Sequence, residues 1–443
     1  MTIAPGDATE PTPSHPPNRL RNEEPLVLHR RQIQGSIDPL TVFASSTAYH
    51  RSYWCIPNSD IEITAIGAAR TLRAQTRKRR FSEIQDGLRE LDISVEGDDG
   101  PTCTGIILVG GFAFSNEELG HCPAWGAFGA GELTVPELLV VRQGGRAWMT
   151  TNGMIELDEL NTPIDHHLGT ITTIDHRRDE AYVDLVSNAL GEIRMGQFDK
   201  LVTARSITTP AKLRPGALLA KLRHRFPECA TFALGRGTET FLGASPERLI
   251  SVTGQRVETD ALAGSRPRHP HPGRDAQLRS ELLASPKERT EHQIVVDAIR
   301  SILSDANVNL DAIEPTDVMK LKRIQHLRTP IGGTLTGDAG HVLDLMAALH
   351  PTPAVAGLPS REAQDWINRH EPMDRGWYSG PVGWSTLDGD GEFRVALRSA
   401  LLTAIDITLF AGGGIIEGSE PHAELAETAT KFEALLGALG VIT

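Results

Sequence analysis

One segment near the C-terminus combines residue types suited to binding a small anion and a metal ion. It reads AGGGIIEGSEPHAELAETATK (residues 411–431) and places three glycines, a group of carboxylates and a lysine after an apolar strand. Glycines let backbone N–H groups approach an anion closely, and carboxylates are ligands for divalent cations. The segment predicts an anionic ligand held partly through a metal ion. The alternative is a glycine run that forms only a turn or a bulge.

The helix predicted at residues 422–439 carries the carboxylates of this candidate site. Glu424 and Glu427 are three positions apart, and Lys431 follows Glu427 by four. At helical spacing these side chains share one flank, beside the apolar stripe of the helix. The alternative is an ordinary ladder of Glu and Lys side chains on the surface, and the helix alone favours that alternative.

Four further charged residues occupy positions where a side chain would face the interior. Glu291 lies on the apolar stripe of a predicted helix (287–305), where a carboxylate needs a charged partner or a metal; the alternative is a glutamate favoured by the helix dipole. Lys200 is in a predicted strand and is either a desolvated general base or a solvent-facing lysine. Glu247 follows a Ser-Pro turn and is either a buried general acid or a turn carboxylate. Arg398 interrupts an apolar strand, which predicts an anionic partner.

Composition and charge restrict the possible partners and the cellular location. The net charge of −13 disfavours nucleic acid and anionic membranes, and the basic run at residues 73–80 is interpreted as solvated surface. Four scattered cysteines predict reduced thiols in a cytoplasmic protein. No apolar run approaches the ~20 residues of a membrane span. Residues 1–25, rich in proline and polar residues, predict a disordered tail without the features of a signal peptide.

Strands joined by hairpins, with helices added, are predicted along most of the chain. Residues 104–114 predict a buried strand, and residues 137–152 a hairpin with a Gly-Gly turn. Residues 230–264 predict successive antiparallel strands, and residues 391–414 predict two strands joined by a short turn. This arrangement favours an α+β fold over a parallel doubly wound sheet.

Nine motifs in a fixed order resemble those of chorismate-utilising enzymes, and most closely those of isochorismate synthases. They are LGASPERL, ALAGSRPR, KERTEHQIVV, IQHLRTPIGGTL, LHPTPAVAGLP, GWYSGPVGW, FRVALRSALL, LFAGGGII and ELAETATK. The match is strong over residues 195–440 and looser from about 50 to 195. The resemblance implies one catalytic domain over residues 26–443, with two large antiparallel β-sheets packed together and helices outside. It also implies an active-site cleft between the sheets, chorismate as substrate and Mg²⁺ as cofactor.

The resemblance also implies a role for each matching residue. Glu291 and Glu427 match the metal ligands, with Glu424 acting through water. Lys200 matches the general base that takes a proton from water as it adds at C2, and Glu247 matches the general acid that protonates the departing C4 hydroxyl. The residues that match the substrate-binding positions are Arg398, Tyr378, Lys431 and the Gly412, Gly413 and Gly414 backbone at the enolpyruvyl carboxylate, and Gly264 and His326 at the ring end.

Three positions bear on which branch of the family the chain resembles. Lys200 is similar to the lysine of the water-using members, which argues against an aminating subunit that needs a glutaminase partner. Residues 261–264 lack the lysine of covalent aminodeoxychorismate synthases. Salicylate synthases share Lys200 but tend to have threonine at Ala354, where the hydroxyl is associated with pyruvate elimination. An isochorismate synthase acting alone, as a monomer, is therefore expected. The alternatives are a salicylate synthase and an aminating subunit that needs a glutaminase partner, and menaquinone, catecholate siderophore and salicylate pathways all remain open.

Overall fold

The structure is a computed structural model that describes residues 25–118, 125–153, 160, 162–172, 179–336 and 340–441. The predicted disordered tail, apart from its last residue, and Cys122 lie outside these ranges. Within them the chain forms 23 β-strands and nine α-helices. None of these helices is long and apolar enough to span a bilayer.

The strands are short and follow one another closely, as the hairpin pattern predicts. In chain order they are β1 (Leu26–Ile33), β2 (His50–Ile56), β3 (Ile61–Ile66), β4 (Arg70–Arg73), β5 (Ile93–Gly97), β6 (Ile107–Phe112), β7 (Gly131–Val135), β8 (Leu138–Gln143), β9 (Arg146–Thr151), β10 (Gly169–Ile171), β11 (Lys200–Leu213), β12 (Ala230–Arg236), β13 (Glu239–Ser245), β14 (Arg248–Thr253), β15 (Arg256–Pro267), β16 (Val308–Leu310), β17 (Asp317–Lys320), β18 (Ile324–Leu335), β19 (Gly357–Leu358), β20 (Pro381–Thr386), β21 (Gly391–Val395), β22 (Ser399–Leu402) and β23 (Asp406–Ile415).

The helices lie between these strands. They are α1 (Pro39–Ser45), α2 (Arg80–Arg89), α3 (Glu180–Arg194), α4 (Pro215–Arg225), α5 (Pro272–Ala284), α6 (Pro286–Asp305), α7 (Val342–Leu349), α8 (Ser360–His370) and α9 (Pro421–Leu439). Both helices predicted from apolar periodicity, α6 and α9, are present within one residue of their predicted bounds. Proline at the first turn and Ser285, whose side chain accepts from Glu288 N, set the start of α6.

The strands form two large sheets that are almost entirely antiparallel, which confirms the predicted fold class. The first has the order β10-β11-β23-β22-β13-β12-β2-β3-β8-β9-β1-β5, with β19 paired to β11. The second has the order β16-β18-β15-β14-β21-β20-β6-β7-β4, with β17 paired to β18. Among the described strands only β1 and β5 pair in parallel. One cluster of buried apolar side chains draws on both sheets, for example Phe232 and Phe241 from the first and Val109 and Val382 from the second. The sheets therefore pack together.

Local sequence signals account for several of the connections. The predicted hairpin at 137–152 is present as β8 and β9, and both turn glycines, Gly144 and Gly145, have positive φ (60° and 70°). This left-handed conformation is the one that a two-residue hairpin turn requires and that glycine adopts without strain. The antiparallel strands predicted at 230–264 are present as β12 to β15.

The segment at 391–414 contains three strands, so the prediction of two was wrong. The chain leaves the second sheet after β21 and enters the first sheet at β22, before turning into β23. Both sides of this crossing are buried, and the apolar pattern therefore continues through it without a break. Arg398 lies in the crossing itself, at φ 49°, and not inside a strand as predicted.

The basic run at 73–80 is only partly solvated, so that interpretation was also wrong. Lys78 and Arg79 are exposed, but Arg77 and Arg80 are buried. Arg77 donates to both carboxylate oxygens of Asp374, at 3.0 and 2.6 Å. Arg80 donates from Nη1 and Nη2 to the backbone carbonyls of Arg77 and Phe114.

Candidate active site

A pocket between the two sheets collects residues from distant parts of the chain. Its lining comes from β11 and β23 of the first sheet, β15 and β18 of the second sheet, helices α6 and α9, and the connecting loops. Two predicted site residues, Lys200 and Glu424, are not on the lining itself. The predicted residues that do line it are Glu247, Gly264, Glu291, His326, Ala354, Tyr378, Arg398, Gly412, Gly413, Gly414, Glu427 and Lys431.

Two of the three glycines of β23, Gly413 and Gly414, make room for charged side chains from three other elements. A Cβ atom on Gly414 would lie 2.3 Å from Glu291 Oε1 and 2.9 Å from Lys200 Cε. A Cβ atom on Gly413 would touch Glu424 Oε2 at 3.4 Å. Glycine is needed at 414 because the neighbouring charged groups approach the backbone so closely.

Lys200 faces the protein interior, which decides between the two orientations that the strand pattern allows. Its side chain has no exposed surface, and Nζ lies 2.9 Å from Glu291 Oε1. Nζ makes no hydrogen bond to any other part of the described chain. Glu291 on the buried face of α6 therefore has Lys200 as its charged partner, as a buried carboxylate requires.

Glu247 lies in the connection between β13 and β14 and is buried. Ser245 shapes this turn, since its Oγ donates to Val395 O at 2.6 Å and accepts from Glu247 N at 3.2 Å. Burial raises the pKa of Glu247 to about 8, although the positive charge of Lys200 opposes that rise. The negative charge of Asp260 raises it further. At neutral pH the carboxyl is therefore mostly protonated and able to donate a proton.

Each carboxylate predicted as a metal ligand is paired with a lysine. Burial and the charge of Glu427 raise the pKa of Glu424. Burial opposes ionisation of Glu427, but its contact with Lys431 outweighs this and lowers its pKa. The pairs are Lys200 with Glu291 at 2.9 Å, Lys287 with Glu424 at 3.1 Å, and Lys431 with Glu427 at 2.7 Å.

The donor chemistry of this group fits a hard divalent cation. Glu288 adds a fourth buried carboxylate, whose pKa is raised by burial and by the charge of Glu291. Within the described ranges, no three acidic, histidine or cysteine side chains form a metal site by themselves. Mg²⁺ is commonly held by only one or two carboxylates, with water and substrate oxygens completing its shell. Crowded carboxylates that disfavour one another's ionisation are the setting in which such a cation is stabilising.

The end of the pocket around Arg398 and Lys431 carries positively charged side chains. Arg398 Nη2 donates to His326 Nε2 at 3.0 Å. Burial, with a further contribution from the charge of Arg398, lowers the pKa of His326 to about 3, so the imidazole is neutral and accepts this bond. Lys431 Nζ donates to Gly412 O at 2.6 Å. Tyr378 is buried and completes this end of the lining.

Comparison with known proteins identifies the family. Residues 15–440 match the sequence model of the family described as "Chorismate binding enzyme". The chain belongs to this chorismate-binding enzyme family. The resemblance seen in the nine motifs is confirmed, and the match extends across the looser N-terminal half.

Relatives within the chorismate-binding family are similar over nearly the whole chain. A Pseudomonas aeruginosa protein named "Salicylate biosynthesis isochorismate synthase" is 37% identical, over 92% of this chain and 88% of its own length. The Bacillus subtilis "Isochorismate synthase MenF" is 32% identical, over 95% of this chain and 94% of its own length. The solved structure of the menaquinone-specific isochorismate synthase MenF from Escherichia coli has a TM-score of 0.78 at 29% identity, and covers 94% of this chain and 95% of that one.

Sequence reasoning missed several charged and polar residues of this chorismate-binding enzyme. Ser265 N donates to Glu288 Oε2 at 2.8 Å, and Ser265 Oγ donates to Glu427 Oε1 at 3.2 Å. Ser265 thus links carboxylates from α6 and α9. Glu288 was detectable, because it precedes Glu291 by three positions and shares its helix face. No local pattern marks Lys287 as the partner of Glu424, because that contact joins two helices distant in the chain.

The structure also places Ala354, which bears on the branch of the family, and Arg328, which lies in the IQHLRTPIGGTL motif. Ala354 is on the pocket lining, as expected for a residue that contacts substrate. Arg328, for which the sequence suggested no role, lies outside the lining. Its Nη2 atom lies 2.7 Å from Asp260 Oδ1. Arg328 therefore balances the carboxylate whose charge contributes to the raised pKa of Glu247.

Proposed function

We propose that this chain is an isochorismate synthase, which isomerises chorismate by adding water at C2 and removing the hydroxyl at C4. The observation that carries the proposal is that Lys200 and Glu247, the candidate base and acid, are both buried at one pocket. Lys200 is buried next to Glu291, and Glu247 has a pKa raised to about 8. Glu247 can therefore donate a proton at neutral pH, and Lys200 is the residue that we assign as the proton acceptor. The names of the full-length relatives support the same reaction.

The charges of the pocket fit a substrate with two carboxylates. Arg398 and Lys431 meet the enolpyruvyl carboxylate at one end, where Tyr378 and the Gly412–Gly414 backbone complete the contact surface. His326, held neutral by burial, and Gly264 line the ring end. Arginine suits this role because its planar fork matches a carboxylate.

A divalent cation, which we propose is Mg²⁺, would be held by Glu291 and Glu427, with Glu424 reached through water. When bound, the cation neutralises the ring carboxylate and withdraws electrons from the ring. Glu288 and Ser265 orient the carboxylates, since Ser265 contacts both Glu288 and Glu427.

Proton transfer is assigned to residues of the chain itself. Lys200 Nζ, as the neutral amine, takes a proton from the water that adds at C2. Glu247 gives its proton to the C4 hydroxyl, which leaves as water while the double bonds shift. One water is added and one is lost, so the product is an isomer of the substrate. Burial of both groups excludes bulk solvent from the two transfers.

Salicylate synthase activity is the second candidate. Ala354 on the pocket lining offers no hydroxyl for the pyruvate elimination that a threonine accompanies in that branch of the family. An aminating subunit is disfavoured by the buried Lys200. Action without a glutaminase, a monomeric state and a cytoplasmic location complete the proposal.

Incubation of the purified chain with chorismate and Mg²⁺, without an amine donor, tests this proposal. Chromatography is expected to show isochorismate without salicylate or pyruvate. Salicylate and pyruvate in equal amounts would move the protein to the salicylate branch. Turnover that begins only when ammonia is added would contradict the assignment of Lys200.

Replacing Glu291 by glutamine is expected to abolish Mg²⁺-dependent activity. The amide keeps the shape of the side chain but removes one of the two direct ligand charges and the partner of Lys200. Titration calorimetry with Mg²⁺ should show affinity reduced by more than the roughly 10- to 100-fold that loss of an outer-shell partner produces. Asp297 on the exposed face of the same helix supplies the control, since Asp297→Asn should leave Mg²⁺ binding intact. An unchanged metal requirement in Glu291→Gln would refute the ligand role.

A further inference from the structure

A second buried ion pair lies behind the pocket, and no catalytic role has been assigned to it. Arg375 and Glu371 have side chains that are only 2% and 1% exposed. Arg375 Nε donates to Glu371 Oε2 at 2.8 Å, and Nη2 donates to Glu371 Oε1. The guanidinium also lies over the ring of Phe114, 4.3 Å from its centroid. The ion pair is thus buried away from water and joined by two hydrogen bonds.

The remaining donors of Arg375 bind backbone carbonyls of two residues that line the pocket. Nη1 donates to Val355 O at 2.9 Å and Nη2 donates to Val202 O at 2.8 Å. Glu371 Oε1 accepts from Ala204 N at 2.8 Å. Val202 and Val355 both belong to the lining. One ion pair therefore connects two separate walls of the active site.

These walls carry residues assigned to the reaction. Val202 follows Lys200 by two positions in β11, and Val202 N donates to Ala356 O at 2.8 Å. Val355 follows Ala354 directly. Tyr378 N donates to Arg375 O at 2.9 Å, so the arginine also begins the turn that carries Tyr378. Two of these elements meet at the guanidinium of Arg375, and the turn that carries Tyr378 begins at the backbone carbonyl of the same residue.

We propose that Arg375 and Glu371 are positioning residues that hold the strand bearing Lys200, the loop bearing Ala354 and the turn bearing Tyr378 in mutual register. The inference rests on the proposed function. Arginine is required because its planar fork reaches the carboxylate and both carbonyls at once. Lysine offers a single nitrogen, which cannot span acceptors on three elements.

Arg375→Lys tests the proposal, because it keeps the buried charge and loses the fork. Turnover of chorismate is expected to fall about 100-fold, the loss associated with a misplacement of about 1 Å at a reacting group. KM should change by less than about threefold, because Arg398 and Lys431 are not held by this pair and Arg375→Lys keeps the backbone carbonyl that bonds Tyr378 N. Glu371→Gln, which keeps an acceptor for Ala204 N, should lie between wild type and Arg375→Lys.

A matched control is available in another buried ion pair, which joins the two sheets. Arg236 and Glu132 form an equally buried pair, with Nε and Oε1 2.6 Å apart, and neither residue lines the pocket. Arg236→Lys should lower the melting temperature but leave kcat unchanged. Equal kcat values for Arg375→Lys and Arg236→Lys would overturn the positioning role.

Hydrogen exchange separates this inference from the proposed reaction. Arg375→Lys should accelerate exchange at residues 200–204 and 352–358, where the amides depend on the clamped backbone, and Arg236→Lys should not. Wild type could fail to turn over chorismate while Arg375→Lys still accelerates exchange at these two segments. That result would refute the proposed reaction and support the positioning role. Unchanged exchange at both segments would contradict the positioning role whatever the substrate is.

Discussion

Replacing Lys200 by alanine is expected to reduce chorismate turnover by about 10³-fold, within the range attributed to general acid–base groups. The loss follows from removing the group that accepts a proton from the attacking water. Lys200 is sealed from solvent, with Nζ 2.9 Å from Glu291 Oε1, so bulk water cannot take its place. Steady-state chromatography of isochorismate at saturating chorismate and Mg²⁺ measures the effect.

Two checks separate this chemical loss from damage to the fold. Lys212 is exposed on the same strand, and Lys212→Ala should retain full activity. Mg²⁺ binding to Lys200→Ala should persist in calorimetry, because the carboxylates remain in place. Full turnover by Lys200→Ala would refute the assignment of the base, and loss of the folded state would be visible in the thermal transition.

Replacing Glu247 by glutamine is expected to lower kcat by about 10² to 10³-fold, because the amide cannot donate the proton that the departing hydroxyl needs. The pH dependence of wild-type activity also reports on the protonation of Glu247. Burial raises the pKa of Glu247 to about 8, against the opposing charge of Lys200. The protonated form is the active one, so wild-type activity should fall as pH rises through about 8.

The pH profile of the variant provides the decisive comparison. In Glu247→Gln the residual activity should no longer fall at this alkaline midpoint, because the titrating group is gone. Glu258→Gln alters an exposed carboxylate of β15 and should keep the wild-type profile. If activity of Glu247→Gln still falls at the same alkaline pH as in wild type, another group causes that fall. This result would refute the role of Glu247 as the acid.

Local pattern predicted the elements well where a segment has one buried face. The apolar stripe of α9, formed by Leu425, Phe432, Leu435, Leu436 and Leu439, is buried throughout. The hairpin of β8 and β9 forms at its two glycines. Pattern failed at 391–414, where the chain crosses between two buried sheets and the apolar signal continues without interruption. It failed again at Arg77 and Arg80, whose partners lie in other parts of the chain.

The sequence by itself predicted the residues assigned to the site, mostly from nine ordered motifs that resemble those of one family, and the structure places most of these residues around one pocket. Burial and partners were decided only by the tertiary structure. A strand alternates its side chains with period two, so Lys200 could face either side until Glu291 of α6 was packed against it. The raised pKa of Glu247 likewise depends on groups brought together from distant segments. The same is true of the hydrogen bonds from Arg375 to Val355 O and Val202 O. Such contacts arise from the packing of two sheets, which no local spacing encodes.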